Sequence, residues 1–261
     1  MKIIVAIKQV PARDAQLRIA SPGASSWKWI EESDLTYEIN EPDAYALEEA
    51  LQLKEKHGGE VVVVCAGPER AAQTIREALA KGADRAIHIE EEDRGAFDPL
   101  VTAHLLARAL KPEAPDLILT GLQSDDFGYG QTGVILAELM GLPHATIVMQ
   151  VEKQDGSIRV KRELEEGWFQ NVELPLPALL TIQSGISKLR YATLMGIKRA
   201  KMKEVKRLTA AERGAVESAA TIEVEHIYLP QRAKRTQLFD GSPKEAAAQL
   251  VEKLKFEARV L

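Results

Sequence analysis

A glycine-rich segment with several hydrogen-bonding side chains carries the clearest chemistry in this sequence. It spans residues 121–132 and runs GLQSDDFGYGQT. An apolar, β-compatible run at 117–120 precedes it, and a helical spacing of apolar residues follows at 131–140, ending at Gly141. Glycines let a backbone approach a ligand closely, and free N–H groups at a helix start favour an anion. The segment predicts a phosphate-binding loop, with an ordinary strand-to-helix turn as the alternative.

The absence of a P-loop motif and of lysine from this segment limits the kinds of nucleotide site that it can form. It contains no GxxxxGK[ST], and it has no lysine. A nucleotide that is bound without being hydrolysed is therefore favoured. The adjacent Asp125 and Asp126 are candidates for a cation site, a ribose contact or a solvated turn.

Catalytic and metal-binding patterns are weak elsewhere in the chain. Histidines at 88, 104, 144 and 226 are scattered, without the spacing of a metal site. Cys65 is the one cysteine, which excludes an intramolecular disulfide. It ends a β-branched run at 61–65, where a buried thiol that behaves as a small hydrophobe is favoured over a reactive one. We predict no catalytic residue and no metal site.

The elements around the loop alternate between strand and helix. Strands are predicted at 3–7, 61–65, 86–89 and 117–120, and helices at 44–56, 70–81, 98–110 and 131–140. This order is typical of an α/β fold with a doubly wound parallel sheet, in which ligands bind at the carboxyl ends of strands. The strand ends at Ala6, Cys65-Ala66-Gly67 and Gly121 are expected to form one crevice with the loop at 121–132 and with Asn40. Asn40 or Asp43 is also the expected cap of the helix at 44–56.

The pattern changes after Gly141. Antiparallel strands are predicted at 147–151, 158–164 and 169–174, and the apolar run 176–181 is expected to return to the parallel sheet. Residues 183–208 are basic and predicted as a loop. A strand is predicted at 221–228, and a last helix at 243–256 begins after Ser242. We expect an α/β domain at 1–208, including an antiparallel excursion at about 145–175, and an extended C-terminal arm at 209–261.

Composition limits the classes of partner. The chain has 261 residues, a net charge of −5 and 5% aromatic residues, which argues against nucleic acid. The first apolar run is too short for a signal peptide or a membrane span. We expect a cytoplasmic protein without direct membrane insertion.

Four blocks of sequence carry a resemblance to a known family. They are VAIKQVP at 5–11, INEPDAYALEEALQLKE at 39–55, GLQSDDFGYGQTG at 121–133, and the long block at 161–201 that includes LPLPALLT and RYATL. Together they resemble the β subunit of electron-transfer flavoprotein. The resemblance implies a Rossmann-like, adenine-nucleotide α-hydrolase-like fold and a heterodimer with an α subunit, whose mobile domain holds most of the FAD.

The resemblance also implies that this subunit binds AMP in a structural role. Carried over by position, the nucleotide-binding residues are Ala6, Asn40, Glu41, Pro42, Asp43, Cys65, Gly121, Leu122, Gln123, Ser124, Asp125, Asp126, Phe127, Gly128, Tyr129, Gly130, Gln131 and Thr132. Electron-bifurcating members bind a second FAD in the same place, and this loop is closer to the AMP-binding branch. Gly130 stands where an Asn is usual, and Ala12 and Arg13 replace a usual aromatic residue that reaches toward the flavin.

Partner contacts are implied at two places. Glu163 is expected to meet an arginine of the mobile α domain, with a solvated sheet edge as the alternative. The segment 188–200 is expected to be a partner-recognition loop. Leu194 would be its anchor, with Tyr191 beside it and Lys188, Arg190, Lys198 and Arg199 steering the approach of a dehydrogenase. The alternative is that Leu194 packs under its own loop.

Two functions of different classes follow. The first is an electron carrier that takes electrons from flavin dehydrogenases, such as acyl-CoA dehydrogenases, and passes them to a membrane quinone oxidoreductase. The second is a stand-alone adenine-nucleotide sensor or hydrolase of similar fold. The basic RYATL segment after Thr181 favours the first, since a nucleotide sensor has no need of it.

Overall fold

The computed structural model of the chain describes residues 1–20, 30–31, 34–91, 98–209, 221–222, 227–228 and 236–260. The chain forms two compact units, Met1–Ile227 and Tyr228–Leu261. Each is described by itself.

The first unit is built from strands and helices in alternation. The strands are β1 (Lys2–Ala6), β2 (Gln9–Pro11), β3 (Tyr37–Ile39), β4 (Glu60–Gly67), β5 (Arg85–Glu90), β6 (Leu117–Gly121), β7 (His144–Lys153), β8 (Ser157–Glu163), β9 (Phe169–Pro175), β10 (Ala178–Ile182) and β11 (Val205–Leu208). The helices are α1 (Glu41–His57), α2 (Ala71–Lys81), α3 (Pro99–Leu110), α4 (Thr132–Met140) and α5 (Leu194–Ala200). This order confirms the predicted βα alternation.

One large sheet organises the unit. Among the described residues its order is β11-β5-β4-β1-β6-β10-β7-β8-β9. The pairs from β11 to β7 are parallel, whereas β7–β8 and β8–β9 are antiparallel. The predicted doubly wound parallel sheet with an antiparallel excursion is therefore confirmed. The excursion continues the main sheet, because β7 pairs with β10 on one side and β8 on the other.

Apolar side chains on the two faces of the sheet make two cores. Ile3 and Val5 of β1 belong to the core under α1 and α2, whereas Ile4 belongs to the core under α3 and α4. The β-branched run of β4 divides in the same way, with Val63 on the first face and Val64 on the second. Side chains on successive strand residues point to opposite faces, so a continuous apolar run is needed where both faces are covered.

The predicted loop at 183–208 is wrong in two places. Residues Leu194–Ala200 form helix α5, and residues Val205–Leu208 form an edge strand that pairs with β5. Thr193 accepts a hydrogen bond from the N–H of Gly196 and so caps the helix. The helical pattern is hidden in the sequence because the residues that face the protein are small rather than large and apolar.

The second unit contains a helix, α6 (Pro243–Lys253), followed by a π-helical turn at Leu254–Ala258. Ser242 and Glu245 form a reciprocal capping box, which confirms the predicted cap. The predicted strand at 221–228 falls partly outside the described residues. Within the described ranges, no helix is both long and apolar enough to cross a membrane.

Candidate functional site

A cavity of about 520 Å³ opens at the carboxyl ends of three neighbouring strands. β1 lies between β4 and β6, so Ala6, Gly67 and Gly121 approach the cavity from adjacent positions. This volume lies within the range of small-molecule sites, roughly 300–1,000 Å³. The crevice expected between the strand ends is therefore present.

Most of the predicted nucleotide-binding residues line this cavity. They are Ala6, Asn40, Asp43, Gly121, Leu122, Gln123, Ser124, Asp125, Asp126, Phe127, Tyr129, Gly130, Gln131 and Thr132. Glu41, Pro42, Cys65 and Gly128 are not among its lining residues. Cys65 is 1% exposed and lies two residues before the end of β4, on the core face under α1 and α2. Burial raises the pKa of its thiol to about 12.

The start of the loop is held by Asp43. Its carboxylate accepts hydrogen bonds from the N–H of Lys8 at 2.7 Å and the N–H of Gly121 at 2.9 Å. Burial raises the pKa of Asp43 to about 7, although these donors act in the opposite direction. One side chain of α1 thus joins the chain after β1 to the end of β6.

Asn40 holds the next part of the loop. Its amide nitrogen donates to the carbonyl of Gln123 at 2.9 Å, and its amide oxygen accepts from the N–H of Asp125 at 2.8 Å. The carboxylate of Asp125 in turn accepts from the N–H of Glu41 at 3.2 Å, at the start of α1. Asn40 occupies the N-cap position of α1, but neither its side chain nor that of Asp43 caps the helix, because both bind other segments and the acceptor for the N–H of Glu41 comes from the loop.

A cation and two aromatic rings support the middle of the loop. Lys8 forms an ion pair of 2.7 Å with Asp126 and lies 4.8 Å from the centre of the Phe127 ring. Phe127 and Tyr129 stack with their ring centres 5.8 Å apart. Both acidic residues of the loop therefore contact protein donors. In the part of the chain that the structure describes, no group of three or more potential metal ligands is found.

Two glycines permit close contacts between the strand ends and the helices α1 and α4. A Cβ atom at Gly121 would lie 2.3 Å from Oδ1 of Asp43, and one at Gly133 would lie 2.6 Å from Oγ1 of Thr120. Both distances are too short for a side chain. Gly121 thus lets α1 approach the end of β6, and Gly133 lets the start of α4 approach the ends of β6 and β10.

The start of α4 is suited to an anion. Its N-cap residue, Gln131, makes no side-chain capping hydrogen bond, and the first N–H groups of a helix lack intrahelical acceptors. Gly130, Gln131 and Thr132 all line the cavity beside this helix start. The N–H groups and the helix dipole favour a phosphate there. Lys8, a cation that lines the same cavity, was missed by the sequence analysis, although its position directly after the first strand was a usable signal.

The far wall of the cavity was not predicted. Helix α3 contributes Pro99, Thr102, Leu105 and Leu106, and Arg70 stacks on Tyr37, with its guanidinium carbon 4.5 Å from the ring centre. The segment between β2 and β3 adds Leu17, Ile30 and Leu35. None of these residues carries a local signal, because the sheet topology alone brings them to the cavity.

The predicted partner-binding residues fall into two groups. Tyr191, Leu194, Lys198 and Arg199 lie on or just before α5 and are exposed. Glu163 ends β8, near the opposite edge of the sheet, and its carboxylate accepts a hydrogen bond of 3.4 Å from Gln183. Leu194 is 83% exposed, so the alternative that it packs under its own loop is wrong.

Two arginines that the sequence analysis singled out bind acidic residues of this chain. Arg13 forms an ion pair with Glu41 near the start of α1. Arg190, expected among the steering cations, instead donates to Glu48 at 2.7 Å and to Glu55 at 2.6 Å. Arg190 therefore holds its segment on α1.

Comparisons with known proteins agree with the resemblance. A model of the electron transfer flavoprotein domain matches residues 28–213. The chain is 38% identical over 263 residues to the electron transfer flavoprotein subunit beta of Methylophilus methylotrophus, covering 97% of each chain. It is 38% identical over 264 residues to the subunit of that name from Bradyrhizobium diazoefficiens, and 33% identical over 264 residues to the mitochondrial one from Oryza sativa subsp. japonica, covering 100% of each chain in both pairs.

The family model covers the loop at 121–132 and helix α5, and the match to the Bradyrhizobium diazoefficiens subunit extends over the whole chain, including all three strands at the cavity. The chain belongs to the electron transfer flavoprotein family and is a β-subunit type member of it.

Proposed function

We propose that this chain is the electron-carrier β subunit of an FAD-containing heterodimer. Its α partner would hold most of the FAD, which carries the electrons. The complex would accept electrons from flavin dehydrogenases, such as acyl-CoA dehydrogenases, and pass them to a membrane quinone oxidoreductase. In this proposal the chain has no catalytic residue of its own, and it acts in the cytoplasm without entering the membrane.

The cavity at the strand ends is the observation that carries the cofactor assignment. We assign it to AMP, whose phosphate would bind the N–H groups of 130–132 and the hydroxyl of Thr132. The uncapped start of α4 and Lys8, which lines the same cavity, fit an anionic group. A bound nucleotide would stabilise the folded protein, because the unfolded chain has no such site.

A second FAD in this cavity, as in bifurcating members, is the alternative cofactor. Mass spectrometry of the denatured, purified heterodimer separates the two. One FAD and one AMP per heterodimer is the expected result. Two FAD without AMP would contradict the assignment and support a bifurcating subunit.

The α partner has a candidate contact in the second unit. Leu238, Val251, Phe256 and Val260 are all more than half exposed within that unit. Apolar side chains in such number are typical of a segment that packs on another chain. We assign residues 209–261 to the arm that packs on the α subunit.

A stand-alone adenine-nucleotide-binding protein is the alternative function. Co-expression with a flavoprotein α subunit distinguishes the two. If the chain is the proposed carrier, the co-expressed complex is yellow, whereas this chain by itself is colourless. A chain that binds nucleotide and never co-purifies with the α subunit would support the alternative.

A further inference from the structure

Helix α5 turns its large apolar side chains away from the protein. Leu194 is 83% exposed and Met195 58% exposed, whereas Ala200 is 3% exposed. A surface helix usually does the opposite and buries its apolar stripe. Burial of large side chains therefore does not hold α5 in place.

Small residues let α5 approach helix α2 at backbone distance. A Cβ atom at Gly196 would lie 2.3 Å from the carbonyl oxygen of Ala80, near the end of α2. Ala200 follows one helical turn later and is buried on the same side. No larger side chain fits at 196 unless α5 moves away from α2.

The two helices cap each other at their C-terminal ends. Arg76 of α2 donates from Nη1 to the carbonyls of Ala200 at 2.6 Å and Lys203 at 2.9 Å. Lys203, just after α5, donates from Nζ to the carbonyls of Leu79 at 2.9 Å and Ala83 at 2.5 Å. Each cation thus binds one carbonyl in the last turn of the other helix and one just beyond it, where the helix dipole also favours positive charge.

The segment before α5 is fixed as well. Arg190 binds both oxygens of Glu48 through Nε and Nη2, at 2.7 and 3.0 Å, and Glu48 is only 4% exposed. Bidentate arginine–carboxylate pairs fix geometry as well as charge. Helix α5 is thus held on α1 through the preceding segment and on α2 through its own C-terminal end.

A helix as short as α5, with a glycine inside it, is not stable by itself in water. We infer that Arg76 and Lys203, together with the close Gly196–Ala80 contact, keep α5 preformed as a rigid docking helix for a flavin dehydrogenase. Arg76 is then a positioning residue, since it acts through α5 and does not itself meet the dehydrogenase. This inference rests on the proposed function, because docking at Leu194 belongs to that proposal.

Preforming the helix has a kinetic consequence. A disordered segment must be ordered when it docks, and this cost reduces affinity without changing the later electron transfer. Loss of the reciprocal caps should therefore raise KM for the carrier and leave kcat unchanged. A change in the redox centre would alter kcat instead.

The test compares Arg76→Met with wild type in the complete α/β complex. Hydrogen–deuterium exchange measured by mass spectrometry reports the order of peptides spanning 190–203. Steady-state assays with an acyl-CoA dehydrogenase report KM and kcat. We expect faster exchange confined to this region and a rise in KM of about tenfold, which corresponds to ~1.4 kcal/mol.

Three further variants separate geometry from charge. Lys201→Met removes an exposed cation from the same region and should leave exchange and KM near wild type. Arg76→Lys restores a donor and should recover part of the loss in KM. Gly196→Ala changes no charge but displaces α5, so it should also speed exchange and raise KM. It therefore tests the inference even if Arg76→Met folds poorly.

The outcomes also distinguish this inference from the proposed function. If Leu194→Ala raises KM while Arg76→Met and Gly196→Ala change neither exchange nor KM, preforming by these contacts is wrong and docking at α5 stands. Faster exchange with unchanged KM in these variants would also overturn the inference. If Leu194→Ala leaves KM unchanged, the proposed docking surface is wrong, and the inferred role in docking falls with it.

Discussion

The carboxylate of Asp43 accepts a hydrogen bond of 2.9 Å from the backbone N–H of Gly121, a residue 78 positions later in the chain. The same carboxylate accepts a hydrogen bond of 2.7 Å from the N–H of Lys8. One buried acid therefore joins the ends of two neighbouring strands to the first turn of α1. The position of Gly121 at the start of the loop in the proposed nucleotide site depends on this junction.

Gly121→Ala should damage this junction. The new Cβ would lie 2.3 Å from Oδ1 of Asp43 and 2.7 Å from Cβ of Pro42. We expect the free energy of unfolding to fall by about 1–3 kcal/mol, as for other overpacked sites, and the purified complex to lose AMP. Urea denaturation and nucleotide analysis measure both effects.

Gly67→Ala is the matched control, because Gly67 also ends a strand at the cavity. Its added Cβ would meet Cβ of Ala71 at 3.4 Å, an ordinary contact. Equal losses of stability in the two variants would show that the Gly121–Asp43 junction has no special role.

Asp43 should make stability fall with rising pH. Burial raises its pKa in the folded chain to about 7, compared with an ordinary value of 3.8. Between these values the folded chain holds a proton that the unfolded chain has lost. The contribution of Asp43 is therefore complete below the lower value and is lost as pH rises through the higher one, by at most about 1.4 kcal/mol per pH unit.

Asp43→Asn removes this titration. Its amide lacks the second acceptor oxygen, so we expect lower stability at every pH, with a gap to wild type that narrows from pH 5 to pH 8. Urea unfolding at several pH values, with the same nucleotide load, measures the gap. Parallel curves for the two proteins would contradict the assignment.

Cys65 should be inert in the folded protein. It is 1% exposed, and burial raises the pKa of its thiol to about 12, so thiolate is scarce at neutral pH. We expect iodoacetamide at pH 8 to modify it only after denaturation, as followed by peptide mass spectrometry. Rapid labelling of the native complex would instead indicate a reactive thiol.

Leu194→Ala tests the docking surface. Because the side chain is 83% exposed, we expect the melting temperature to stay within about 1 °C of wild type, as for ordinary surface substitutions. The dehydrogenase should show a higher apparent KM for the variant carrier, while the FAD and AMP contents of the complex stay unchanged. Loss of stability together with unchanged docking would show that Leu194 serves the fold.

Glu163→Gln tests the contact proposed with the mobile α domain. A partly exposed ion pair contributes only up to about 1 kcal/mol, which suits a domain that must move. We expect a changed distribution of domain orientations in small-angle X-ray scattering, with FAD retained. Glu165→Gln, at the hairpin tip, is the control. If the Glu163 variant scatters as wild type does, Glu163 belongs to a solvated sheet edge.

Features built from local interactions could be predicted from the amino-acid sequence. The continuous apolar runs of β1, β4 and β6 indicated a sheet covered on both faces. Asp98 and Ser242 were correctly placed at helix starts, since a cap binds N–H groups within three residues of itself. The glycine-rich loop and its helix were equally visible, because the strand, loop and helix are consecutive.

Only the tertiary structure decided which residues meet across the chain. Asn40 and Asp43 are residue types that often cap helices. Their side chains instead bind Lys8 and the loop at 121–125, because the sheet brings those segments within hydrogen-bond distance. Helix α5 was hidden because cations and a glycine hold it, without an apolar stripe. The contribution of α3 to the cavity wall was hidden because long-range contacts leave no periodic signal in the sequence.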